Sequence, residues 1–261
     1  MYLFNPNLLK LFYSSLLINV PSFNANPFNN NRILTKLEVN PYSTYINYKL
    51  NPSQVNKLNS YISEYSKDIQ LVPLSLSKNS IPAYYISINI YNCTSPIFMN
   101  SCDIIRCELN TYIKTSNNKY GTLILDYLSN SLSLDPINIF KTKTNNIKFA
   151  LDKDINTIYC ESKKDKIILD MKYSFTNKPY HIGNKLISFT DLAYYKNGIA
   201  DRVYYDSSLV NAKTKLGKIF GSSCFKYRDM IFHQPDSLFY FTEPIRFIGS
   251  ASEHKHVNQP L

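Results

Sequence analysis

Apolar positions in this chain recur at two periods, and the switch between them marks its elements. Tyr42, Tyr45, Ile46, Tyr48 and Leu50 alternate with polar residues, which predicts a strand. Asn51 then suits an N-cap and Pro52 a first helical turn, and Val55, Leu58, Ile62 and Tyr65 recur at three- and four-residue spacing. That pattern predicts a helix with one buried stripe, ended by Pro73. Residues 83–91 (AYYISINIY) are β-branched and aromatic, and residues 106–114 (RCELNTYIK) alternate. Both read as strands, and the turn residues at 117–121 (NNKYG) lead into 122–126 (TLILD), completing a β-hairpin.

In the second half, Asp135-Pro136 reads as another helix start, with Ile137, Ile139 and Phe140 inside it. Strands are expected at 155–161, 166–175 and 186–195, with Lys163, Lys164 and Asp165 as the turn between the first two. Residues 207–220 fit a strand or a short helix. Residues 231–248 hold two strands broken by Pro235 and Pro244, and a polar tail starts at Ser250. Near the start, residues 8–20 (LLKLFYSSLLINV) are apolar but carry Lys10 and Asn19. This run is shorter than the roughly 20 residues a bilayer needs. It has neither a basic leader nor a small-residue cleavage site, so a short packed helix or strand is expected rather than a signal peptide. A loose loop follows at 24–31. The expected layout is an N-terminal extension (1–31), a single domain (32–249) and a tail (250–261). Many strands, two short helices and no regular βαβ alternation predict an α+β fold, mainly antiparallel β and barrel-like.

Composition narrows the function classes. The 261 residues are 44% apolar and 14% aromatic, too apolar for a disordered chain. With only six glycines, dinucleotide and phosphate loops that need glycine at fixed places are disfavoured. The net charge is +10, yet the basic residues are scattered. Wealth in Asn, Lys, Ile and Tyr matches the codon bias of an AT-rich genome, such as that of a large DNA virus or a protist. A solvated basic surface is therefore expected, with no specific nucleic-acid site. Cys93, Cys102, Cys107, Cys160 and Cys224 form no CxxC and lie near no histidine at metal-ligand spacing, so no metal and no cofactor are expected. An odd cysteine count fits a reducing, intracellular compartment, with association with a virion as the alternative.

Several segments in sequential order resemble one known group. The helix, Val72-Pro73-Leu74, strand, hairpin and short-helix order is similar to that of the acetoacetate decarboxylase-like superfamily, and most of all to its DUF2071 or YqjF-like branch. Residues 106–113 (RCELNTYI) resemble that branch's E-x-N-x-R-x-Y-V strand, and 121–126 (GTLILD) its G-V-Y-F-x-S-L-D strand. Residues 129–140 follow like its S-x-x-P-L-A helix. Residues 189–195 (FTDLAYY) are similar to its F-L-T-E-R-Y stretch, and 231–235 (IFHQP) to its V-x-H-x-P-W stretch without the Trp. The likeness covers roughly 40–248. It implies a cone-shaped β-barrel around a small-molecule pocket, and in the superfamily's enzymes a lysine that forms a Schiff base with a ketone. To attack, such a lysine must be neutral, so its pKa must fall by several units from about 10.4.

The resemblance puts that lysine at Lys141. The superfamily's decarboxylases carry two adjacent lysines there, whereas here Thr142 separates Lys141 from Lys143. The bland alternative is a solvated lysine in a loop rich in Lys, Thr and Asn. Arg106 and Glu108 share a strand face. They form either a proton relay or carboxylate anchor inside the fold, or an exposed ion pair worth under about 1 kcal/mol. His233, beside Pro235, faces either a pocket or a structural partner. Tyr84, Tyr85 and Tyr112 line an aromatic pocket or fill the core. Two functions follow. The favoured one is a non-catalytic protein that binds a small carbonyl or carboxylate ligand, or serves as an assembly subunit, with a homo-oligomer expected. The other is a Schiff-base lyase (decarboxylase, aldolase or dehydratase) acting on a small keto acid through Lys141, with Glu108 in catalysis and Arg106, Tyr112 and His233 holding the substrate.

Overall fold

Asn51 begins the helix by a reciprocal device that its sequence neighbours supply. Its side chain accepts from the Gln54 backbone N–H at 2.9 Å, and the Gln54 side chain accepts from the Asn51 N–H at 3.0 Å. This capping box satisfies two amide donors at the start of α1 (Pro52–Ser63). Leu58 and Ile62 form the buried stripe, each worth about 1.5–3 kcal/mol on burial. The computed structural model describes residues 31–64, 66–94, 104–131, 133–134, 140–141, 146–150, 155–163, 166–183, 186, 192–195, 202–207 and 212–252.

Most of the other described residues are in strands. Those nearest the helix in sequence are β1 (Asn31–Val39), β2 (Thr44–Lys49), β3 (Ile69–Leu71), β4 (Tyr85–Thr94), β5 (Ile104–Thr115) and β6 (Tyr120–Ser129). Next come the short β7 (Ser133–Leu134) and β8 (Phe140–Lys141), then β9 (Asn146–Ala150), β10 (Asn156–Ser162) and β11 (Ile167–Pro179). The last part holds β12 (Leu192–Tyr195), β13 (Arg202–Ser207), β14 (Thr214–Tyr227), β15 (Met230–Phe232), β16 (Ser237–Phe241) and β17 (Ile245–Ser252). The fold is therefore mainly antiparallel β with one helix among the described residues, and β12 against β6 is a parallel contact.

The β5–β6 hairpin forms where the sequence predicts it. Asn118 takes the left-handed conformation (φ 55°), which asparagine tolerates better than most residues, and its N–H donates to Thr115 O at 2.8 Å. Other expectations change. Phe140, expected in a second helix, lies in β8 and pairs with Leu134, while residues 135–139 lie outside the described residues. Residues 207–220 form no helix where described: β13 ends at Ser207 and the long β14 starts at Thr214. β14 is extended because β11 holds one of its edges and β16 and β15 the other. The stretch 231–248 carries parts of three strands, since β15 already closes a short turn back onto β14. Strand β17 continues to Ser252, past the expected start of the tail, because β1 and β13 pair with it on both sides. Of the strand expected at 186–195, Leu192–Tyr195 is strand, whereas Leu186 is not. The apolar run at 8–20, Lys143 and residues 253–261 lie outside the described residues.

Strand β4 is the hub. One edge pairs with β5; the other pairs with β2 over residues 85–90 and with β1 at Cys93 and Thr94. From β5 the ladder runs through β6, β12, β13, β17 and β1, while from β2 it runs outward through β16, β14, β11 and β10 to β9. Both faces of β4 are covered, so its strand reads as buried almost throughout. Ile86, Ile88 and Ile90 join one core with Leu58 and Ile62 of α1 and with Leu169, Met171 and Tyr173 of β11. Tyr85, Tyr91 and Cys93 join a second core on the opposite face with Tyr45, Phe239 and Phe241. There the Tyr45 ring stacks on Phe239 at 5.2 Å.

Candidate functional site

The second face of β2, β4, β5 and β6 carries polar residues at every other position, and strand pairing lines them up in rows. Tyr45, Asn89, Glu108 and Tyr127 lie opposite one another across the four strands, and the next row is Asn47, Ser87, Asn110 and Ile124. Between Leu109 and Asn110 the register with β6 slips by one, leaving Leu125 without an opposite residue. This bulge lets Thr122 and Ile124 on one side of the slip and Tyr127 on the other share the face of β5's even-numbered residues. Opposite stand Leu37 of β1 and Phe247 of β17, themselves a cross-strand pair. Between these walls lies a cavity of about 60 Å³. At roughly 10–15 Å³ per water, it has room for a molecule of about five non-hydrogen atoms.

Glu108 and Tyr112 line this cavity, together with Tyr45, Asn89, Tyr91, Asn110 and Thr122 on its polar side. Arg106 lies just behind. Its Nε donates to Glu108 Oε1 at 2.7 Å, and its guanidinium sits 4.0 Å from the centre of the Tyr127 ring. Arg106 is 2% exposed and Glu108 13%, so of the two arrangements open from the sequence, the buried pair is the one formed. Tyr91 Oη also donates to Glu108 Oε1, at 2.6 Å. The Asn110 amide reaches Oε2 at 3.5 Å.

The tyrosines here are hydrogen-bonding groups rather than bases. Burial pushes the Tyr45, Tyr91 and Tyr112 hydroxyls well above the ordinary value of 10, and for Tyr45 and Tyr91 the charge of Glu108 adds to the rise. Ser87 donates its one proton to Asn47 Oδ1 at 2.6 Å, so in the 3.0 Å contact between Tyr112 Oη and Ser87 Oγ the tyrosine is the donor. The Cys107 thiol belongs to the other face. A hydrogen bond with Cys160 and burial raise it well above its ordinary value, which removes it as a nucleophile.

The remaining expected site residues do not join this cluster. His233 is exposed beyond β15, and its backbone carbonyl accepts from Ser223 Oγ. Lys141 lies in β8, paired with Ser133, and its side chain is outside the described residues. Tyr84 packs on the first core and Tyr85 on the second. Asn89, Tyr91 and Asn110 were not singled out in the sequence. Their signal is the i, i+2 repeat of polar groups inside apolar strands, Ser87-Asn89-Tyr91 and Arg106-Glu108-Asn110-Tyr112. No cluster of His, Cys, Asp or Glu among the described residues could hold a metal ion. No helix among them is long and apolar enough to cross a membrane. No family model, curated protein or solved structure matches this chain.

Proposed function

We propose that this chain is a small-molecule-binding protein of the acetoacetate decarboxylase-like kind, in which the cavity beside Glu108 takes a ligand without turning it over. The observation that carries this reading is the cavity itself. It is lined by the apolar Leu37, Ile124 and Phe247 together with a buried, hydrogen-bonded carboxylate, Glu108. Binding sites usually combine an apolar lining with a few fixed polar groups in this way. The succession of pairings from β5 through β6, β12, β13, β17 and β1 to β4, which itself pairs with β5, supports a barrel around that space. The insertion of Thr142 between Lys141 and Lys143 supports binding over lyase chemistry, because the superfamily's decarboxylases carry their two lysines adjacent.

Two measurements test this. A fragment set of five to seven non-hydrogen atoms, followed by NMR on the ¹⁵N-labelled full chain, is expected to shift resonances of β4 and β5. The cavity-filling variant Ile124→Phe is expected to abolish those shifts. Fragments that bind the variant equally well, or none that bind either protein, would overturn the site. Borohydride reduction with a panel of small keto acids is expected to leave the intact mass unchanged. A stable adduct on Lys141, lost in Lys141→Ala, would replace binding by Schiff-base catalysis.

A further inference from the structure

The hydrogen-bonding surface of the cavity is lopsided. Glu108 Oε1 takes both short bonds, from Arg106 and Tyr91, while Oε2 has the long 3.5 Å contact from the Asn110 amide. Asn110 is only 6% exposed and lines the cavity, yet its Oδ1 has no hydrogen-bond partner among the described residues. Tyr48 Oη and Asn92 Oδ1 also lack partners but do not line the cavity. Buried amide oxygens are normally satisfied, so one left without a partner on a residue that lines the cavity points to a ligand donor. The amide cannot be turned to escape this. Exchanging its N and O would set Oδ1 against the Glu108 carboxylate, acceptor against acceptor.

These two under-used acceptors belong to residues two apart on β5, which share one strand face. Charge narrows the ligand further. Arg106 already balances Glu108, and every other lining residue is uncharged. A carboxylate would meet Glu108 with no cation in the cavity wall to receive it. An ammonium would add a charge beside an ion pair that is already balanced, with no second carboxylate in the wall to receive it.

We infer that the cavity selects a small uncharged molecule whose head is a primary carboxamide, with its NH₂ donating to Asn110 Oδ1 and Glu108 Oε2 and its short alkyl body against Leu37, Ile124 and Phe247. This inference rests on the cavity being a binding site, and it replaces the expected carbonyl or carboxylate ligand by a hydrogen-bond donor.

The test is a titration of the ¹⁵N-labelled full chain with isobutyramide, isobutyrate and isobutylammonium, which share one branched body and differ in the head. Isobutyramide is expected to bind at least tenfold more tightly than either charged analogue. Asn110→Leu, which removes the open carbonyl at similar volume, is expected to weaken isobutyramide tenfold or more. If that variant does not fold, the three-ligand series on the natural protein decides alone. Equal or tighter binding of isobutyrate or isobutylammonium, or undiminished binding to Asn110→Leu, would overturn the carboxamide assignment and leave the cavity as a site. Binding of none of the three, while other fragments bind there, would overturn the assignment too. Silence from every small molecule would overturn both.

Discussion

Replacing Arg106 by Met is expected to destabilise the fold by about 3 kcal/mol, and the reasoning can be checked by a double-mutant cycle. In the native arrangement the guanidinium is 2% exposed and donates to Glu108 at 2.7 Å. Its other face lies over Tyr127 at 4.0 Å. Met fills much of the same volume but leaves the Glu108 charge in place with only Tyr91 and Asn110 to hold it. Losing one member of a buried pair costs about 3–5 kcal/mol, and the lost cation–π contact is part of that, up to about 2 kcal/mol. Glu108 keeps 13% exposure toward the cavity, which puts the expected cost at the lower end. In the double variant Arg106→Met/Glu108→Gln no buried charge remains, and the Gln oxygen still accepts from Tyr91. That protein should lose only about 1–2 kcal/mol, close to the value of one or two neutral hydrogen bonds. The double variant should thus be more stable than Arg106→Met alone, with a coupling energy of about 2 kcal/mol or more. Urea unfolding followed by far-UV circular dichroism measures all four proteins, and tyrosine fluorescence is a second probe, since the chain has 22 Tyr and no Trp. A cost below about 1 kcal/mol for Arg106→Met, or losses that simply add in the double variant, would refute the buried pair as described.

Two further outcomes are expected. Asp229 accepts from Lys57 Nζ at 2.8 Å and from Tyr61 Oη, and these bonds hold its carboxyl at about 2, below its ordinary 3.8. Because the folded value is the lower one, the stability this group contributes is complete above about 4 and disappears as pH falls from about 4 to about 2. Asp229→Asn should flatten the acid loss of the urea midpoint in that window only, and an unchanged acid profile would count against the contact. Gly217→Ala should lower the thermal midpoint, because a Cβ there would fall 1.9 Å from Leu238 Cδ2 and 3.2 Å from Ser174 O. Overpacking of this kind costs about 1–3 kcal/mol, and a midpoint equal to that of the natural protein would show that Leu238 moves aside freely.

Local rules were enough to read α1, its Asn51 cap and the β5–β6 hairpin from the sequence, since caps, helical stripes and turn residues act within a few positions of one another. The same holds for Arg106 and Glu108, whose two-residue spacing on a strand puts them on one face whatever else the fold does. What tertiary structure decided is which face that is. The alternating residues of β4 and β5 meet two different cores, and nothing in the local pattern of RCELNTYIK says whether its even-numbered side chains face solvent or a cavity. Strand partners decided it: the pairing of β4 with both β2 and β5 covers one face with α1 and β11, and leaves the other looking across at Leu37 and Phe247. Long-range pairing also explains why residues 214–227 stay extended and why β17 runs on to Ser252, since β-strand stability depends on neighbours far away in the chain. Asn110 shows the limit most clearly. As a residue type it suits a turn as well as a strand. Only the one-residue slip against β6 and the nearby Glu108 carboxylate set its amide as a donor on one side and an open acceptor on the other.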